Sequence, residues 1–297
     1  SQNEPALWYP FFAALSFVWG ACIGSFLNVC IHRIPRELSI IRPRSHCPSC
    51  NTPIPWYLNL PLISYTLLRG RCRFCKAPIT PRYLVVEALT AALFLLVWLK
   101  FEYPFGAFFG LAPIQDWMQV FAYWLVIGGL VLGTFVDFEH LIIPDRVTLG
   151  GIVAGLVISP LVPSLHNTPS PLSALVFSAI GAASGWSLLW LIGFIGRLVF
   201  RKDAMGFGDV KLIGAIGAFL GWRAVLFTVG VSSFFGAIAG ITLVLSGRKE
   251  MQSRIPYGPY LALAAVLWIL WGPHWWQAYF DMLAPDEALI PTGPAAW

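Results

Sequence analysis

WMQVFAYWLVIGGLVLGTFV, residues 117–136, is a run of twenty residues without a charge that leads straight into Asp137. About 20 predominantly apolar residues make an α-helix long enough to cross the hydrocarbon core of a bilayer. The run lacks the sustained alternation of apolar and polar positions that a membrane β-strand would need. Working outward, four more runs read the same way, at 8–30, 83–99, 172–200 and 224–246. Three shorter or glycine-rich runs lie at 147–162, 210–222 and 260–271, which brings the expected spans to eight.

Composition points the same way. Of 297 residues, 58% are apolar and 11% charged, with a mean hydropathy of +0.72. A soluble domain carries roughly 25% charged residues, and so few charges would leave a soluble surface covered in apolar patches. Length alone would suggest about two soluble domains. The expected class is therefore an all-α integral membrane protein, a polytopic bundle of about eight transmembrane helices. No strong internal repeat or low-complexity linker is evident.

Charge placement sets the expected topology. If the eight spans hold, segments 31–82, 137–146, 197–211 and 247–256 share one side and carry 17 of the 19 Lys and Arg residues. Only Lys100 and Arg223 fall on the other side. The positive-inside rule puts the basic segments in the cytoplasm and both termini outside. The net charge of +5 is then a topology signal, compatible with anionic lipid. Basic residues scattered over separate loops argue against nucleic-acid binding. The first run lacks a basic n-region and is followed by basic residues, so it is expected to be a retained span.

The 31–82 loop carries Cys47-Pro-Ser-Cys50 and Cys72-Arg-Phe-Cys75, two pairs separated by 21 residues. Two such thiolate pairs can close a tetrahedron around zinc, at a spacing just beyond the usual ribbon range. A disulfide framework is the alternative, in a compartment where disulfides are rare. With four protein ligands the zinc would be structural, stapling a loop too small for a large core. Cys22 and Cys30, in the first span, are expected to be simply buried.

Acidic residues are scarce, 14 in all. Asp137 ends a helix, where the macrodipole disfavours a carboxylate by about 0.3–1 kcal/mol, so a structural role has no evident benefit. Asp209, in Gly206-Phe-Gly-Asp209, precedes an apolar run and can be an N-cap. Both fall at the cytoplasmic end. If the fold brings them together, two carboxylates in contact can share one proton. The ionised one can then activate water while the protonated one polarises a peptide carbonyl. Asp145 reads as an N-cap, and Glu139 and His140 as solvated. Glu87 lies about one turn inside the second span, where it can snorkel, pair with a loop arginine or join a polar site. Signatures of soluble aspartic proteases, serine hydrolases, zinc proteases and phosphate loops are absent from the sequence.

These residues, taken in order, resemble the bacterial type IV prepilin peptidases over nearly the whole chain. The likeness rests on Gly24-Ser-Phe-Leu-Asn-Val29 with His32-Arg-Ile-Pro35, on Asn59-Leu-Pro-Leu-Ile-Ser-Tyr65 and Arg69-Gly70-Arg71 between the cysteine pairs, and on Arg82-Tyr83 with Val86-Glu87. It continues through Asp137-Phe-Glu-His-Leu-Ile-Ile-Pro-Asp145, Gly206-Phe-Gly-Asp209 and Ile255-Pro-Tyr-Gly-Pro-Tyr260. The resemblance implies an enzyme of the plasma membrane with two activities. One removes the basic leader of prepilins and pseudopilins at the cytoplasmic face. The other methylates the new N-terminal amine with S-adenosylmethionine.

By the same match, Asp137 and Asp209 are the catalytic pair, and Cys47, Cys50, Cys72 and Cys75 the zinc ligands. No glycine-rich dinucleotide fingerprint is present, so Gly70 and Glu87 are the candidates for the methyl-donor site. The expected division is 1–30 as first span, 31–82 as cytoplasmic zinc loop and 83–297 as peptidase core. The rival readings are a transporter with membrane carboxylates and a zinc-loop membrane adaptor.

Overall fold

The computed structural model describes residues 8–101, 116–201, 205–246 and 256–283. The basic segment 248–254 and Ile255 of the late motif lie outside the described residues, as do both termini. The described chain is helical, and its β-pairing is confined to two isolated bridges in the cysteine loop. In chain order the helices are α1 (Trp8–Arg33), α2 (Ile63–Leu67), α3 (Arg82–Phe101), α4 (Trp117–His140), α5 (Asp145–Leu161), α6 (Pro171–Phe200), α7 (Phe207–Leu245) and α8 (Gly258–Leu283).

Five of these, α1, α3, α4, α6 and α7, are long and apolar enough to cross a membrane. The three weaker runs are helical as well. The run at 147–162 forms α5, and that at 260–271 forms part of α8. The runs at 210–222 and 224–246 share α7, which breaks at Gly221, where φ 79° and ψ 173° leave the helical region.

The break has an identifiable chemistry. A helical carbonyl accepts from the N–H four residues on, so an interruption at Gly221 removes the partner of Ala218. That carbonyl is instead bonded by the Ser178 hydroxyl at 2.7 Å and the Ser159 hydroxyl at 3.3 Å. Ser159 lies 3.0 Å from His166, whose ring packs beside Gly221. Burial lowers the His166 pKa, favouring the neutral ring.

Small residues set the close packing, as they do where lipid provides no hydrophobic drive between helices. Gly181 on α6 and Gly217 on α7 face each other so closely that a Cβ on either would strike the opposite backbone. Gly24 on α1 meets α3 in the same way, with a Cβ only 2.7 Å from the Glu87 Cα. The apolar core runs through α4, where the Trp124 ring stacks on Phe94 at 5.0 Å and its indole N–H bonds the Phe94 carbonyl.

Contacts join the ends of the helices in two groups. Arg82 pairs with Glu139, and Lys211 with Asp145, at the end that carries the basic loops. At the other end Lys100 donates to the Ile269 carbonyl, and Asp116 caps α4 while accepting from Ser164. Pro273 lacks the N–H that would have bonded Ile269, so the Lys100 ammonium takes a carbonyl that α8 itself leaves unpaired.

Candidate active site and metal centre

The two aspartates expected from the motifs come together. Asp137 lies in the last turn of α4 and is 5% exposed, and Asp209 in the first turn of α7 is 8% exposed. Their carboxyl groups are close enough to feel each other's charge. Each meets the start of a helix. Gly206 is the N-cap of α7, and its backbone N–H bonds the Asp209 carboxylate from the third helical position. Gly258, the first residue of α8, donates its N–H to Asp137 Oδ2 at 3.1 Å.

This arrangement answers the unfavourable position of Asp137 at the end of α4. The positive end of α8 faces its carboxylate and offsets the dipole of α4. Gly258 is a residue the sequence reading did not single out, although it lies in the Pro-Tyr-Gly-Pro run. A Cβ there would stand 2.8 Å from Asp137 Oδ2 and 3.0 Å from Ile143 Cδ1. Tyr257 fixes the turn, its hydroxyl lying 2.7 Å from Ser232 and 3.2 Å from Ser233 on α7. Ile143 fills the space between the two glycine turns, since a Cβ on Gly208 would also meet it at 3.3 Å.

Three neighbouring expectations need correction. Asp145 is the first helical residue of α5 with Pro144 as N-cap, and it pairs with Lys211 at 2.6 Å. Glu139 is not simply solvated, because it pairs with Arg82 and so ties α4 to α3. Cys22 is exposed on the surface of the bundle, whereas Cys30 is buried as expected. A cysteine on the outer face of a bundle needs no protein neighbour where lipid is the solvent.

The four loop cysteines are free thiols whose sulfurs all lie within 4.8 Å of one another. Cys47 Sγ and Cys75 Sγ are 3.8 Å apart, about the edge of a tetrahedron built on Zn–S bonds of about 2.3 Å. Two equivalent turns present them. Cys47 donates its N–H to the Thr52 carbonyl, Asn51 to Cys47 and Ile54 to Ser45; Cys72 bonds Ala77, Lys76 bonds Cys72 and Ile79 bonds Gly70 in the same way. The bridges His46–Pro53 and Arg71–Pro78 match too, as do the left-handed Asn51 and Lys76. Residues 45–54 and 70–79 are thus a short structural repeat that the sequence reading missed, signalled by Cys-x-x-Cys-x-x-Pro-Ile in both halves.

The thiols titrate unevenly. Hydrogen bonding to Thr52, side chain before backbone, lowers Cys50 to about 6. The Ala77 backbone pulls Cys75 down, but burial and the neighbouring Cys50, Cys72 and Cys47 sulfurs together raise it to about 11. Crowded sulfurs cannot all ionise unless a cation shares the space.

Gly70 and Glu87 both serve the loop's attachment. Glu87 Oε2 accepts the Leu62 N–H at 2.7 Å, and the Ser25 hydroxyl bonds the same carboxylate. Gly70, at φ 66°, packs on Tyr65, whose hydroxyl bonds the Ile79 carbonyl. Together they pin α2 between the cysteine turns and the membrane helices.

Fold and site define a polytopic helix bundle with paired carboxylates and a four-cysteine loop at the same end. Residues 18–101 match the family described as Bacterial Peptidase A24 N-terminal domain, and residues 124–241 the Type IV leader peptidase family. Three relatives carry the name prepilin leader peptidase/N-methyltransferase. That of Aeromonas hydrophila is 36% identical over 283 residues, covering 87% of this chain and 90% of its own. That of Myxococcus xanthus is 38% identical over 245 residues, covering 82% and 67%, and that of Pseudomonas aeruginosa 32% over 293, covering 91% and 94%. The chain belongs to the type IV leader peptidase family. No solved structure matches it.

Proposed function

We propose that the chain is a bifunctional membrane enzyme that cleaves the basic leader from type IV prepilins and pseudopilins and then methylates the new N-terminal amine. The observation that carries the peptidase is the meeting of Asp137 and Asp209, each opposite a helix N-terminus. One carboxylate, ionised, takes a proton from water, while the other, protonated, polarises the scissile carbonyl. Attack by that water forms no covalent enzyme intermediate. The substrate's apolar segment stays in lipid and its basic leader in the cytoplasm, so the scissile bond lies level with the pair.

The basic loops and the aspartate end face the cytoplasm in this reading, with both termini outside. Zinc, held by Cys47, Cys50, Cys72 and Cys75, is structural, because four protein thiolates leave no coordination position open. Methyl transfer draws its carbon from S-adenosylmethionine, the donor that N-methylation by relatives of this name implies. Gly70 and Glu87, which join the cysteine loop to the membrane helices, are the candidates for the donor site.

Purified protein in liposomes, mixed with a membrane-anchored prepilin, tests both activities by mass spectrometry. Loss of the leader mass is expected with or without S-adenosylmethionine, and a methyl increment only with it. Intact prepilin across several substrates, from folded enzyme, refutes the peptidase.

A further inference from the structure

A groove runs along the bundle between α1, α3, α4, α5 and α7, with a cavity volume of about 480 Å³. That is within the range of ligand clefts, roughly 300–1,000 Å³. Its walls are apolar except for Arg146, in the first turn of α5. Trp19 and Phe26 on α1 and Phe121 and Leu125 on α4 line it while remaining about half exposed. The groove therefore opens sideways through the apolar face of the bundle, where lipid is the surrounding medium.

One end of the groove comes within about one helical turn of Asp209. Leu212, on its wall, is one turn beyond Asp209 on α7, and Leu132 is about a turn and a half before Asp137 on α4. Its floor contains Gly128 on α4 and Gly150 on α5, and at both positions nothing lies within 4 Å of where a Cβ would stand. Glycines that pack against no neighbour are unused by the fold's own contacts, yet they are the residues that let a second helix backbone approach in lipid.

We infer that this groove docks the apolar transmembrane helix of the prepilin substrate and delivers the bond at that helix's polar end to Asp137 and Asp209. The inference rests on the peptidase reading for the identity of the occupant. A helix fits better than a lipid chain, because the floor is open at backbone level and the groove comes within about one turn of Asp209. α1 and α3 on one wall and α4, α5 and α7 on the other would then both grip the substrate.

A prepilin carrying a photoreactive residue in its apolar segment tests the groove in liposomes, with cross-links mapped by mass spectrometry. Cross-links to α1 and to the α4–α5 floor are expected. Gly128→Leu and Gly150→Leu, which project into open space, should each cut the cross-link yield and raise KM by roughly ten-fold. Cross-links confined to other helices, or yields unchanged in both variants, overturn the inference; mapping on the parent protein decides even if a variant folds poorly. A phospholipid retained by the parent and lost from both variants, with prepilin cross-links unaffected, overturns it in favour of a lipid site. Groove cross-links without cleavage by the parent would leave the groove standing and remove the peptidase.

Discussion

Gly258→Ala places a methyl group where the structure leaves room only for a hydrogen. The new Cβ would stand 2.8 Å from Asp137 Oδ2 and 3.0 Å from Ile143 Cδ1. Tyr257 is tied to Ser232 and Ser233, so the turn resists moving away, and the Asp137 carboxylate must shift instead. Its 3.1 Å hydrogen bond from the Gly258 N–H is then lengthened or broken. A hydrogen bond to a charged group contributes about 1.5–3 kcal/mol, which corresponds to a fall in kcat/KM of roughly 10- to 150-fold. The assay is single-turnover cleavage of a liposome-anchored prepilin, with thermal unfolding recorded in parallel. The variant should lose activity by that factor while its midpoint falls by only a few degrees, since the backbone of Gly258 is not left-handed and the loss is confined to that one hydrogen bond. Activity within about two-fold of the parent would show that this N–H does not orient Asp137.

Three further outcomes follow from the same geometry. Cys72→Ser, or prolonged chelation, should release one zinc per chain and make the 45–79 loop protease-sensitive, with release growing faster as pH falls because protons compete for the thiolates; a protein that never contained zinc would refute the metal centre. Lys100→Met should destabilise the bundle by about 1–3 kcal/mol by stranding the Ile269 carbonyl. Pro273→Ala restores an N–H to that carbonyl, so the cost should shrink by more than half in the Pro273→Ala background, and an equal cost in both backgrounds refutes the pairing. A double-mutant cycle on Arg82 and Glu139, whose side chains are 15% and 33% exposed, should give a coupling below about 1 kcal/mol; a much larger value would mean the pair is dehydrated in the membrane.

Much of the fold was legible because a transmembrane helix is written in local composition. All eight expected runs are helical, down to the glycine-rich stretch at 210–222. What that stretch did not reveal was its fusion with 224–246 into one broken helix, in which Ser159 and Ser178 from two other helices bond the Ala218 carbonyl beside the break. The two aspartates were found from their motifs, yet the reason Asp137 tolerates its place lies 121 residues away in Gly258. A backbone N–H has no residue-type signature, so only the conspicuous Pro-Tyr-Gly-Pro run hinted at it. The cysteine pairs were plain from spacing, while their duplicated turns emerge only when backbone hydrogen bonds are compared. Glu87 stood out as a charge in an apolar run, but its bond from the Leu62 N–H comes from a loop whose path the sequence does not encode locally.

The central claim is that Asp137 and Asp209 act as one catalytic unit. The most direct measurement is prepilin cleavage by Asp137→Asn, Asp209→Asn and the double variant, each checked for zinc content, thermal midpoint and prepilin cross-linking. The account predicts three folded, substrate-binding proteins without measurable cleavage, the double variant no worse than either single one. Substantial cleavage by either single variant would contradict it.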